Sequence, residues 1–209
     1  MDTVVQIFQF GITLSIPVLW AAYGELICEQ AGVLNVGIEG VMTGGYFGMA
    51  LGLNYTGNNL FLSLLIAIGI GMVCGGVLSV LYVRLGTDQI VTGILFTVAV
   101  LGLTTALAVK YVNASEVKTF KEWHIPGLAD IPYIGPILFE HNVLVFAGAL
   151  FAPVVFYLMR RTWFGLHARS ASEHPKATES AGLDVWKHRY AALIIGCALV
   201  AVGGAAFEN

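Results

Sequence analysis

The chain has 209 residues, of which 57% are hydrophobic and only 11% charged, with a formal charge of −3 and a mean hydropathy of +0.81. Soluble domains carry about 25% charged residues, so this composition excludes an ordinary soluble domain, and the balance of charge offers no basic surface to nucleic acid. Five or six spans of about 20 residues would use nearly the whole chain and leave no room for a soluble catalytic domain. The first predicted span runs from Val4 to Tyr23 and contains Pro17. It lacks a basic leader and a small-residue cleavage site, so it reads as a retained span. A polar break, Gly24–Gln30, separates it from a second span over Val33–Leu53. The turn-rich Asn54–Asn59 follows, then a third span over Leu60–Val83 ending at Arg84. Asp88 stands before the fourth span, Ile90–Val109, where a helix N-cap explains it more cheaply than a gate. The longest polar stretch, Lys110–His141, holds Pro126, Pro132 and Pro136, and its Ile131–Pro136 run suggests a short interfacial element. The fifth span is Val143–Met159, closed by Arg160 and Arg161, and a second polar stretch, Thr162–Arg189, precedes a sixth apolar run over Tyr190–Phe207.

The second span has two unusual features. Asn35, Glu39 and Thr43 recur every four residues and would stack as a polar stripe on a helix. Gly40, Gly44, Gly48 and Gly52 share that spacing on the neighbouring flank, the arrangement that lets another helix approach closely within a membrane. A carboxylate at membrane depth costs roughly 2.5–3.5 kcal/mol on insertion scales, so Glu39 needs a reason. It either lines a path for polar solutes together with Asn35 and Thr43, or it is a structural acid paired with a neighbouring helix.

Lys and Arg residues set the expected orientation. With Arg160–Arg189 in the cytoplasm, alternation puts Arg84 there too. That gives seven basic residues inside (Arg84, Arg160, Arg161, Arg169, Lys176, Lys187, Arg189) and three outside (Lys110, Lys118, Lys121), with the N-terminus outside. Between the fifth and sixth spans, Pro175 suits a first helical turn, Glu173 suits a helix N-terminus and Gly182 suits a terminator. The expectation is a two-turn helix within Ser172–Gly182, carrying the small residues Ala177 and Ala181. Cys28, Cys74 and Cys197 lie far apart in or beside apolar runs, and the five histidines form no i,i+4 pair on a span. No metal site is expected. The Asn113-Ala-Ser115 glycosylation pattern reads as chance. No G-x-x-x-x-G-K-[S/T] phosphate loop occurs, so an ATP-driven process would need a separate nucleotide-binding subunit.

Three stretches together resemble a known family. Gly24-Glu-Leu-Ile-Cys-Glu-Gln-Ala-Gly-Val-Leu-Asn-Val-Gly-Ile-Glu-Gly-Val-Met42, Thr87-Asp-Gln-Ile-Val-Thr-Gly93 and the run from Thr162 to Gly182 occur in the order and spacing found in one group of permeases. These are the membrane-spanning subunits of ATP-binding-cassette importers for nucleosides and simple sugars, a branched-chain amino acid/ribose-type permease family. The chain departs from the family pattern in places: Ser172-Glu173-His174-Pro175 stands where the family reads Gly-Glu-Asn-Pro, and Glu29-Gln30 lacks the usual basic residue. Phe96-Thr97 replaces an Asn often found there, and the chain ends where family members continue.

The resemblance implies an all-α polytopic membrane protein of about six transmembrane helices, with a glycine-ridged second span and a cytoplasmic coupling helix. Residues 1–209 would form a single permease domain, incomplete at its C-terminus, in a bacterial inner membrane. The implied activity is translocation of a nucleoside or simple sugar, not catalysis. It needs no cofactor of its own, because ATP binds a partner subunit. Implied partners are the ATPase, a second permease subunit in a homo- or heterodimer, an extracytoplasmic solute-binding protein and the lipid bilayer. Glu173, Pro175, Ala177, Ala181 and Gly182 fall in the segment that docks on the ATPase. A self-sufficient carrier or channel, with Glu39 binding a proton or ion, is the alternative.

Overall fold

A computed structural model describes residues 2–112, 122–124 and 140–207, with side chains over 5–112 and 143–207. The described chain is helical apart from two three-residue strands. Helix α1 spans Asp2–Gln30, α2 Ile38–Tyr55, α3 Leu60–Ser79, which continues as a π-helical turn over Val80–Arg84, and α4 Gln89–Tyr111. Strands β1 (Glu122–His124) and β2 (Glu140–Asn142) pair antiparallel, with Trp123 opposite His141. Then come α5 (Val143–Arg161), α6 (Trp163–Glu173), α7 (Pro175–Ser180) and α8 (Val185–Ala206). The expected Ile131–Pro136 element and Asn113 lie outside the described residues.

Among the described residues, five helices are long and apolar enough to cross a membrane: α1, α3 with its π turn, α4, α5 and α8. The expected second span corresponds to α2, which has 18 residues, is diluted by glycine and is not among these five. What it lacks in hydropathy it makes up in close packing. It lies inside the bundle against α3, α4 and α8, with Val41 and Met49 wholly buried.

Helix α8 is the centre of the bundle. It packs on α1, α2 and α3, and 61% of its most apolar stretch is buried. Its sequence explains why: Ala192, Gly196, Ala201, Gly203, Gly204 and Ala205 are buried and offer almost no side chain to hold neighbours away. A Cβ on Gly196 would strike the Gly24 carbonyl of α1, and one on Gly204 would strike the Met42 carbonyl of α2. The space between backbones is filled by Val41, Leu78, Leu193, Cys197 and Val200. Helix α5 leans on the outer side of α1, where Trp20 Nε1 donates to the Leu144 carbonyl at 3.3 Å and Tyr23 Oη to the Gly148 carbonyl at 3.1 Å. These bonds satisfy the polar tips of the buried Trp20 and the half-buried Tyr23.

Short caps start the helices. Asp88 accepts from the Ile90 and Val91 amides at 3.0 and 2.9 Å, and is therefore the N-cap of α4. Asn59 caps α3, Thr162 caps α6, and Asp184 caps α8 through the Lys187 amide at 3.1 Å.

Three expectations are corrected. The Gly24–Gln30 break is the last part of α1, not a separate polar segment. The second span begins at Ile38 instead of Val33. The expected short helix within Ser172–Gly182 is present as the six-residue α7, opened by Pro175 as expected, but Glu173 ends α6 instead and Ala181 lies just past the helix.

Candidate functional site

The end of α1 is set by a glycine. Gly32 has φ +78°, the left-handed conformation that side chains resist, and it follows a helix that closes with paired return bonds. The Val33 amide donates to Cys28 O at 3.1 Å and the Gly32 amide to Glu29 O at 2.9 Å. This stop creates an elbow, residues 31–37, between α1 and α2. Side chains then satisfy the elbow's free amides: Glu25 Oε1 accepts from Asn35 N at 2.9 Å, and Gln89 Oε1 accepts from Leu34 N at 2.8 Å.

Asn35 therefore does not stack with Glu39 and Thr43, because it lies before the helix begins. It is 2% exposed, and its Nδ2 donates to Cys197 Sγ of α8 at 3.5 Å. Among the described residues its Oδ1 is buried without a hydrogen-bond partner, as are Glu25 Oε2 and Tyr82 Oη. Tyr82 belongs to the π-helical turn, and its hydroxyl sits beside the Gly37 amide and Gly93, whose Cα–H surface leaves it room. Glu25, Asn35 and Tyr82 thus bring unsatisfied polar atoms to the underside of the elbow. Such atoms are expensive to bury, which marks the elbow as a place where the fold stores polarity next to α2.

Glu39 lies in the first turn of α2 and is exposed, and Thr43 is half-buried one turn on. The Thr43 hydroxyl donates to the Glu39 carbonyl at 2.8 Å, and Tyr46 continues the same open face. A carboxylate in the first turn also suits the helix dipole. The four ridge glycines point elsewhere and meet different neighbours. A Cβ on Gly40 would come within 2.8 Å of Thr97 Cα of α4, on Gly48 within 2.8 Å of Ala67 Cα, and on Gly52 within 2.6 Å of Ser63 Cα, both of α3. Gly44 is the loosest, with Ile70 Cγ2 at 3.5 Å.

At the same end of the bundle as the elbow, α7 stands between α6 and α8. Pro175 opens it, and Gly182, at φ +84°, closes it with its amide on Glu179 O at 2.9 Å. Glu173 ends α6 and is exposed. Thr178 is the buried anchor, its hydroxyl placed 2.8 Å from Ser170 O and 2.9 Å from His174 O. With Thr178 facing inward, Ala177, Ala181 and Gly182 are left exposed, and no atom lies within 4 Å of where a Gly182 side chain would go. The result is an exposed surface between two spans, on which the small Ala177, Ala181 and Gly182 lie beside Lys176, Glu179 and Ser180.

Sequence reading did not single out Glu25, Tyr82 or Thr178. Nor did it foresee that His167 Nδ1 and His188 Nε2 would meet at 3.2 Å between α6 and α8. Only Thr178 carries a local signal, as a hydroxyl three residues after the helix-opening Pro175; the other contacts are made across the fold. Among the described residues, no group of three His, Cys, Asp or Glu side chains is placed to hold a metal ion.

The family described as branched-chain amino acid transport system / permease component matches residues 7–208. The nucleoside ABC transporter permease protein NupC of Lactococcus lactis is 30% identical over 93% of this chain and 64% of its own length. The putative glucose ABC transporter permease protein TsgC13 of Haloferax volcanii is 33% identical over 90% of this chain and 57% of its own. The guanosine ABC transporter permease protein NupQ of Bacillus subtilis is 30% identical, with 92% and 64% covered. The chain thus spans less than two thirds of the length of each of these relatives. No solved structure gives a significant match.

Proposed function

The chain belongs to the branched-chain amino acid transport system / permease component family, and from that premise we propose that it is a membrane-spanning permease subunit of an ATP-binding-cassette importer. The cargo is a nucleoside or simple sugar, the solutes named for its relatives. The chain supplies the path and a partner ATPase supplies the ATP site. An extracytoplasmic binding protein delivers the solute, and a second permease subunit completes the pathway. The expected setting is a bacterial inner membrane, with the N-terminus outside and α7 in the cytoplasm, where the excess of Lys and Arg belongs.

One observation carries this reading: the exposed small-residue surface of Ala177, Ala181 and Gly182, held out between α6 and α8 by the buried Thr178. Small side chains permit a cleft on another protein to close tightly around the helix, and two short connections transmit its movement to the spans. The open face of Glu39 and Thr43 is the proposed solute-facing surface, since a carboxylate and a hydroxyl can both hydrogen-bond the hydroxyl groups of a sugar or ribose. Asn35 acts beneath that face, fixing the start of α2. The glycine ridge brings α3 and α4 against α2.

Replacing Ala177 by Trp fills the small-residue surface without touching the membrane interior. Tagged Ala177→Trp is expected to reach the membrane in wild-type amount but to retain less than a tenth of the ATPase that copurifies with the wild-type protein. Retention of the full amount would remove α7 as the docking element.

A further inference from the structure

Two helices end at the same place without a cation of their own. The last turns of α1 and of α6 contain no basic residue, and α1 closes instead with Glu29 near its C-terminus. Helix C-termini expose unpaired carbonyls and the negative end of the dipole, so positive charge supplied from elsewhere is favourable there. Arg189 supplies it from the second turn of α8. Its Nε donates to Ala31 O, just past the end of α1, at 3.3 Å, and its Nη2 donates to Ala171 O, in the last turn of α6, at 3.2 Å. The two ends also touch directly: Gly32 lies against Ser172 so closely that a Cβ would sit 3.0 Å from Ser172 Cα.

We propose that Arg189 is a positioning residue that clamps the α6–α7 unit to the α1–α2 elbow, so that displacement of α7 is delivered to the start of α2. The planar guanidinium is suited to this because Nε and Nη2 donate in fixed, nearly parallel directions. The two helix ends are thereby held at one separation. A lysine ammonium would keep the charge but not the fork. One turn earlier on the same face of α6, the His167–His188 contact at 3.2 Å also ties the helix to α8, while Arg189 holds its C-terminal end. Downstream, the elbow enters α2 through Asn35 and Gly37, a few residues before Glu39. The transmission step rests on the importer reading; the clamp itself does not.

The test uses Arg189→Lys and Arg189→Met in the full chain, with spin labels at Leu34 on the elbow and Lys176 on α7, both exposed. In the wild-type background this pair should give one narrow distance distribution, unchanged when ATP and orthovanadate are added to the permease with its copurifying ATPase. Arg189→Met should broaden the distribution severalfold, and Arg189→Lys should fall between the two. Uptake of radiolabelled guanosine should drop about tenfold in Arg189→Met, at equal membrane abundance and equal copurified ATPase. A role in folding alone would lower abundance and copurified ATPase together with uptake. A narrow distribution in both variants overturns the clamp, and so does a wild-type distance that shifts with ATP and orthovanadate. If no ATPase copurifies with the wild type, the importer reading and the transmission step fail together, while the distance distributions of the isolated permease still decide the clamp.

Discussion

Gly44 and Gly48 occupy neighbouring turns of α2 and look equivalent in the sequence, yet they should respond oppositely to one methyl group. At Gly48 the added Cβ would stand 2.8 Å from Ala67 Cα and 2.9 Å from Ile70 Cδ1. The isoleucine end can turn away, but Ala67 is fully buried main chain, so α3 must move. Overpacking of this kind costs about 1–3 kcal/mol. At Gly44 the same Cβ would meet Ile70 Cγ2 at 3.5 Å, Cys74 Sγ at 3.6 Å and Val100 Cγ1 at 3.8 Å, all ordinary contacts. There the helix gains the intrinsic advantage of alanine over glycine, about 0.8–1.0 kcal/mol. Gly48 receives the same advantage against its larger penalty. Gly44→Ala is therefore expected to be neutral or stabilised by up to about 1 kcal/mol, and Gly48→Ala destabilised by up to about 2 kcal/mol. At roughly 2–4 °C per kcal/mol for a chain of this size, the two variants should melt about 2–12 °C apart. Thermal unfolding in lipid nanodiscs, followed by tryptophan fluorescence, reads this directly. Equal melting temperatures, or a lower one for Gly44→Ala, would refute the packing described for α2 and α3.

Other expectations concern single groups. Glu39→Gln keeps the shape of an exposed side chain, so its melting temperature should stay within the equivalent of about 0.5 kcal/mol of wild type. If the proposed importer reading holds, uptake of a nucleoside or simple sugar should nevertheless fall or change in solute preference, and unchanged uptake would take Glu39 off the proposed path. The carboxyl of Asp184, outside the spans, is held below its usual range mainly by the Lys187 amide, with the Lys187 ammonium adding to the effect at 3.1 Å. Because its folded value is the lower one, the cap helps α8 above the ordinary carboxylate range and is lost as pH falls through the depressed value. Amide exchange at Lys187, corrected for its intrinsic pH dependence, should lose protection in acid in the wild type. It should show no such step in Asp184→Asn, which caps without titrating.

Much of the helical layout is visible in the chain because apolar runs of span length leave few alternatives in lipid. The misplacements share a cause. Glu25, Glu29 and Gln30 look like a break in a hydrophobic pattern, but α1 continues through them because the Asn35 amide comes back to meet Glu25. The stop at Gly32 is encoded locally, and its meaning depends on the left-handed turn that it makes. Asn35 has helical spacing to Glu39, but the free amides of residues 34 and 35 find side-chain partners before the helix starts. Glycines with a four-residue period attract attention on α2, whereas Gly45, outside that period, makes the tighter approach to Ala201 of α8. Arg189 and Ala31 are 158 residues apart, and nothing nearby in the sequence announces their contact.

The burial of α8 also bears on how the protein assembles. A helix made mainly of alanine, glycine and cysteine on its inner faces has little to hold it in place except the surfaces of α1, α2 and α3. Those surfaces are made earlier, and their own glycines, such as Gly24, Gly71 and Gly75, have no close partner until α8 arrives. Contacts over such separations are slow to close, because the intervening chain must be ordered before they repay its entropy. Without α8 those glycine-lined surfaces would stay open, so α1, α2 and α3 are expected to lock into one body only once α8 is in place among them, much as a keystone closes an arch.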